Sequence, residues 1–133
     1  SAMLKPQERL RANPLFKQVF KAGRSYAEAL VALHVLKLPD SPLVRETGFS
    51  VSKKVGNAVV RNRTKRRMRA IVAGLLPALP HGFRVVVVAR SAAADAPYEA
   101  LAASLAKAYR RAGLLNASPP PPPAEPSLGP HGV

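Results

Sequence analysis

Between Lys53 and Arg69 the chain places eight of its 21 lysines and arginines and not one acid. The next acids on either side are Glu46 and Asp95. Charge is stable only where it is solvated or matched by an anion, so this segment cannot be core on all sides. It must carry its cations on an outer face, and the plainest repeating anion to meet them is a phosphate backbone. The rest of the chain shares the bias, with Lys+Arg 21 against Asp+Glu 7, a formal charge of +14 and a pI near 11.4. Such a balance points to nucleic acid or an anionic membrane surface.

Other features bound the answer. At 133 residues there is room for one domain with one modest core. The absence of cysteine excludes a disulfide scaffold and a thiolate metal site. No apolar run approaches the roughly 20 residues of a membrane span, and the N-terminus lacks a secretory pattern. A cytoplasmic protein of bacterial type, with no membrane partner, is expected. Ser1-Ala2 ahead of Met3 reads as a tag remnant and is left out of fold reasoning. The division expected is an N-terminal arm over 1–8, a single domain over 9–115 and a tail over 116–133. That tail holds Pro119 to Pro123 in a row, then Pro126 and Pro130. Proline cannot donate to a helix or ladder, so an extended, disordered and solvated segment is expected.

Within the domain, Asn13-Pro14 marks a helix start, with Leu15, Phe16, Val19 and Phe20 at helical spacing and Gly23 closing the element. Tyr26 to Leu38 is strand-like, although the Ala/Leu content of 29–36 leaves helix as a competitor. Pro39-Asp40-Ser41-Pro42 is a turn, and Arg45 to Ser52 alternates as a second strand. A helix is predicted from about Ala58 to Leu76, with Val60, Thr64, Met68, Ile71, Val72 and Leu75 as its buried stripe. Four consecutive valines within Phe83–Ala89 predict a strand covered on both faces. Asp95 and Pro97 open a last helix, with Tyr98, Leu101, Ala102, Leu105 and Tyr109 apolar and Gly113 as its stop. Helix, two or three strands, basic helix, strand, helix sum to a small α/β sandwich.

On the basic helix, Arg61, Lys65 and Arg69 stack along one line and Asn62 and Arg66 along a second, with Arg63 and Arg67 on the far flank. Like charges four residues apart repel by a few tenths of a kcal/mol per pair. A polyanion relieves that repulsion, and arginine suits phosphate because its planar fork reaches two oxygens at once. Lys53, Lys54 and Asn57 stand at the helix entrance, where backbone N–H groups themselves favour phosphate. The segment has no Gly-Lys-Ser/Thr and so is not a P-loop. No heptad repeat follows it, so it is not the basic region of a zipper.

The run Phe49-Ser50-Val51-Ser52-Lys53-Lys54-Val55-Gly56-Asn57-Ala58-Val59-Val60-Arg61-Asn62-Arg63-Thr64-Lys65-Arg66 resembles the Arg-Asn-Arg signature of the bacterial ribonuclease P protein family. The likeness extends over roughly Arg9 to Leu115. It implies the order α-β-β-β-α-β-α, a two-layer α/β (α+β) sandwich on a central four-stranded sheet. A third early strand falls near Arg24 to Ala27, and a left-handed βαβ crossover carries the basic helix. It also implies a protein subunit without an active site of its own, serving a catalytic RNA that removes the 5′ leader of precursor transfer RNA. Mg2+ would be held by that RNA, with no cofactor or metal on the protein and no protein partner required. The residues agree: His34, His81 and His131 are scattered and the carboxylates isolated, so neither a two-metal site nor an acid/base pair can be assembled.

Phe16 and Phe20, taken alone, are more often core, since Leu15 and Val19 face inward and the two rings could extend that face. In the resembling family these positions line a leader-binding cleft with an aromatic from a facing strand, a place that falls here on His34. Lys17 and Lys21 would draw phosphate to the cleft edge. Base stacking on aromatic rings tolerates any sequence, which suits a protein that meets many leaders. Two rival readings remain: a ribosomal or general RNA-binding protein, which has little use for an aromatic groove, and a self-sufficient nuclease, for which the carboxylates are missing.

Overall fold

In the computed structural model, Leu4 and residues 13–116 and 121–126 are described. The chain runs α1 (Asn13–Ala22), β1 (Arg24–Ala27), β2 (Val31–Lys37), β3 (Arg45–Ser50), α2 (Ala58–Leu75), β4 (Phe83–Ala89) and α3 (Tyr98–Arg111). Short 3₁₀ turns at Leu76–Ala78 and Ser91–Asp95 link the later elements. This is the α-β-β-β-α-β-α order. The stretch expected as one strand from Tyr26 to Leu38 is instead a hairpin, broken where Glu28 N–H donates to Val31 O. Of the arm over 1–8, Leu4 alone falls among the described residues, buried in the core.

The sheet order is β1-β2-β4-β3. β1 and β2 are antiparallel with Tyr26 opposite Leu33, β2 and β4 antiparallel with Leu33 opposite Val87, and β3 and β4 parallel with Phe49 beside Val87. Since β3 and β4 are parallel neighbours joined through α2, the basic helix is the crossover of a βαβ unit. β4 is central, and its valines sort by alternation. Val85 and Val87 enter the main core under α2 and α3, with Leu33, Met68, Ile71, Leu101 and Leu105. Val86 points the other way, fully buried with Val19 of α1. Burying each such side chain stabilises the fold by roughly 1.5–3 kcal/mol.

Helices therefore lie on both faces: α2 and α3 form a full layer, and α1 adds partial cover opposite to the two layers expected. α1 comes close because Gly48 has no side chain. A β-carbon there would stand 2.4 Å from Cζ of Phe16, which rests in that place. At the far end, α3 stops in a Schellman turn. Gly113 takes a φ of 77°, its N–H donates to Arg110 O, and Leu114 N–H donates to Tyr109 O. Glu28 at the hairpin turn receives Arg111 and Lys107 of α3, fastening the sheet edge to that helix.

Candidate nucleic-acid interface

Asn57 begins α2 as its N-cap, its side-chain oxygen accepting from Val60 N–H at 3.0 Å. Thr64 can be fully buried because its hydroxyl donates back to Val60 O at 2.9 Å. Met68, Ile71, Val72 and Leu75 continue the buried stripe, whereas Val60 is only half-buried. On the other side, Lys53, Lys54, Asn62 and Arg69 are exposed and Arg61, Lys65 and Arg66 partly so. The Arg69 guanidinium lies 5.9 Å from the centre of the Phe49 ring, a cation–π contact with β3. Arg61 Nε and both Nε and Nη2 of Arg66 are shielded from solvent yet have no hydrogen-bond partner. Guanidinium N–H groups in that condition are costly until an acceptor arrives. Three of the described acids are engaged elsewhere. Glu28 is held by Arg111 and Lys107, Glu46 by Arg84, and Glu125 by Arg67.

Two of the expected phosphate ligands are placed differently. Arg67 turns inward, only 6% exposed. Its Nη1 donates to Ala96 O at 3.1 Å, and its guanidinium covers the Tyr98 ring at 5.5 Å. Arg63 Nη2 donates to Ala94 O at 3.0 Å. Both arginines thus fasten α2 to the turn that leads into α3. The physical reason is position: Arg67 lies between Thr64 and Ile71 along the helix, at the margin of the buried stripe, where its stem can pack while its head satisfies carbonyls.

The opposite face of the sheet holds the second constellation. Phe16 is half-buried over Gly48, whereas Phe20 is 43% exposed. Phe20 meets His34 edge-to-face with ring centroids 4.8 Å apart. The two rings form one open aromatic surface, with exposed Lys17 and Lys21 on the same helix. The geometry thus divides the expected pair: Phe16 is largely packing and Phe20 is available for stacking.

Burial holds the His34 imidazole below the ordinary histidine value of 6.5. With the folded value depressed, the unfolded chain takes up the proton first as pH falls. Stability should therefore be insensitive to His34 above the unfolded value. It should decline as pH drops through 6.5 towards the folded midpoint, then level off. An NMR titration of the imidazole should place the His34 midpoint below 6.5, and His34→Phe should remove this part of the pH dependence of unfolding.

One strand serves both constellations. Along β3, Gly48 faces α1 beneath Phe16 while Phe49 faces α2 beneath Arg69. Among the described residues no three of His, Asp and Glu gather as a metal site, and no helix is long and apolar enough to cross a membrane.

Comparison with known proteins agrees with this geometry. The family model described as Ribonuclease P matches residues 4–113. The ribonuclease P protein component of Symbiobacterium thermophilum is 41% identical over 112 residues, 84% of this chain and 96% of that protein. Among solved structures, the RNase P protein of Thermotoga maritima superposes with a TM-score of 0.68 at 27% identity, over 78% of this chain and 96% of that one. A mutant of the Staphylococcus aureus RNase P protein, described as defective in mRNA degradation activity, gives 0.74 at 29% identity, over 81% and 90%. With its arginine-rich crossover helix, its sheet order and its length of match, the chain belongs to the ribonuclease P protein family.

Proposed function

We propose that this chain is the cytoplasmic protein subunit of ribonuclease P. It binds the catalytic RNA along α2 and holds the 5′ leader of precursor transfer RNA on the Phe20–His34 surface, while the RNA removes the leader. The observation that carries this reading is the line of cations on the outer side of α2, a helix that contains no acid, along which Nε of Arg61 and Nε and Nη2 of Arg66 lack acceptors. Phosphate oxygens are the acceptors that fit. Lys53, Lys54, Asn62 and Arg69, all exposed, and the partly exposed Lys65 extend the same track. Mg2+ enters through the RNA in this reading, and three acids of this chain, Glu28, Glu46 and Glu125, are held in ion pairs.

The test is reconstitution. Added to its RNA subunit at low magnesium and moderate salt, the protein should raise cleavage of a precursor transfer RNA at the mature 5′ end, and alone it should cut nothing. The activity named for the S. aureus protein makes the protein-alone arm essential. Metal-dependent cleavage by the purified chain, surviving removal of contaminating nuclease, would overturn the division of labour. Equal binding of precursor and unrelated structured RNA, with no gain in cleavage, would favour a general RNA-binding protein.

A further inference from the structure

Neither constellation uses the groove between α2 and α3. Ile71, Gly74 and Leu75 form one wall and Ala102, Ala103 and Ala106, with Glu99 as the one charged lining residue, the other. Small side chains on facing helices leave an apolar channel, and Pro121, Pro122 and Pro123 lie in it. Pro123 sits directly on Gly74, where a β-carbon would come within 2.8 Å of its Cδ. Two residues on, the Glu125 carboxylate stands 3.2 Å from Arg67 Nε, on a side chain only 7% exposed. The segment expected to be free and solvated is therefore seated over 121–126, by an apolar contact and by an ion pair. Because Pro123 meets Gly74 and Glu125 meets Arg67, it runs antiparallel to α2, back towards the arginine-rich half of the helix.

The chemistry of the two partners matches. A groove of aliphatic walls offers few hydrogen bonds, and proline has no N–H that needs one. A proline run is already extended before it docks, so little conformational freedom is lost. Glu125 is the single acid of the tail. It reaches the one arginine of α2 that is both buried and already held in place by Ala96 O and the Tyr98 ring.

The geometry points to a binding site for proline-rich, acid-ended peptide in the α2/α3 groove, with residues 121–126 of this chain as its occupant and Arg67 as the carboxylate anchor. The seated tail clamps α2 to α3 from outside and keeps Arg67 from phosphate. This holds whatever RNA the helix binds, since it rests on the contacts within the chain.

The test begins with the full chain, in which NMR cross-peaks should join Gly74 Hα to Pro123 Hδ. A chain ending at Asn116 keeps every strand and helix and extends past the family match, which stops at 113. In it the backbone amides of Gly74, Ala102 and Ala106 should shift. A synthetic peptide of residues 117–127 should return them saturably to their full-chain positions. Glu125→Ala in that peptide should weaken its binding roughly tenfold, the loss of an ion pair to a buried guanidinium. Gly74→Val in the full chain should reproduce the truncation shifts while circular dichroism remains unchanged, and Gly74→Ala serves as the milder variant should valine perturb the helix. Identical amide positions in full and truncated chains, or a peptide that gives no saturable response, would overturn the site. A truncation response that neither Gly74 variant reproduces would also overturn it, by placing the tail elsewhere.

Discussion

Replacing Arg61, Lys65 and Arg69 together with alanine should lower affinity for the RNA subunit by roughly 10²–10³-fold at 0.1 M salt. Each lost phosphate contact removes about 0.7–0.9 from the log–log salt slope, which over the decade from 1 M to 0.1 M is worth somewhat under tenfold. The slope itself should therefore flatten by about 2–3 units. Stability should fall little, because Arg61 and Lys65 lie off the buried stripe and only Arg69 covers a ring of the sheet, Phe49, a contact worth about 0.5–1 kcal/mol. Filter binding or fluorescence titration at four or more salt concentrations measures slope and affinity together. An unchanged slope would mean that this line of cations is solvated surface and no more. Arg67→Met is the informative contrast. It removes a cation from the same helix, yet the side chain is buried against Tyr98, so the variant should lose stability and leave the salt slope nearly intact.

Phe20→Ala should weaken binding of precursor transfer RNA by roughly 1–3 kcal/mol, about 5- to 150-fold, with binding of mature transfer RNA nearly unchanged. Only the precursor carries a single strand to stack on the exposed ring. The expected loss of protein stability is about 1 kcal/mol, because the ring is 43% exposed and its edge contact with His34 is worth about 0.5–1.5 kcal/mol. Phe16→Ala should behave differently. Its ring fills the space over Gly48, so about 2 kcal/mol of stability should go, roughly half the value for a fully buried phenylalanine. Thermal unfolding run beside both titrations separates the two. If Phe20→Ala loses precursor and mature RNA alike, the aromatic surface does not hold the leader.

The basic helix was readable at almost every level, because Asn57, the apolar stripe and the charge line obey one 3.6-residue period. The valine strand was readable for a similar reason: four β-branched residues in a row need cover on both faces, and α1 and α2/α3 supply it. The β1–β2 break was not visible in composition, since Glu28, Ala29 and Leu30 contain neither glycine nor proline; family resemblance located that first strand. Arg67 was misplaced because residue type outweighed position. Its spacing from Thr64 and Ile71 already set it at the stripe margin, a signal that an arginine in a basic run hides. The tail groove was illegible for a deeper reason. Gly74 and Ala106 belong to helices separated by a strand in sequence, and only their packing side by side reveals a channel.

The placement of β4 has a consequence for how the molecule comes into being. The second side of β2 pairs only with β4, from Val31 opposite Ala89 to Lys37 opposite Phe83, and β3 has no neighbour in the sheet but that same late strand. Until Phe83–Ala89 has left the ribosome, the chain can form the β1–β2 hairpin but no complete sheet. At bacterial-type synthesis rates the interval between emergence of Arg69 and of Ala89 is roughly 1–4 s. For those seconds the cationic segment is outside the exit tunnel with nothing beneath it to pack on. Its strongest attraction is then to whatever polyanion is nearest, the ribosome's own RNA included. The nascent chain should meet RNA before it has a fold.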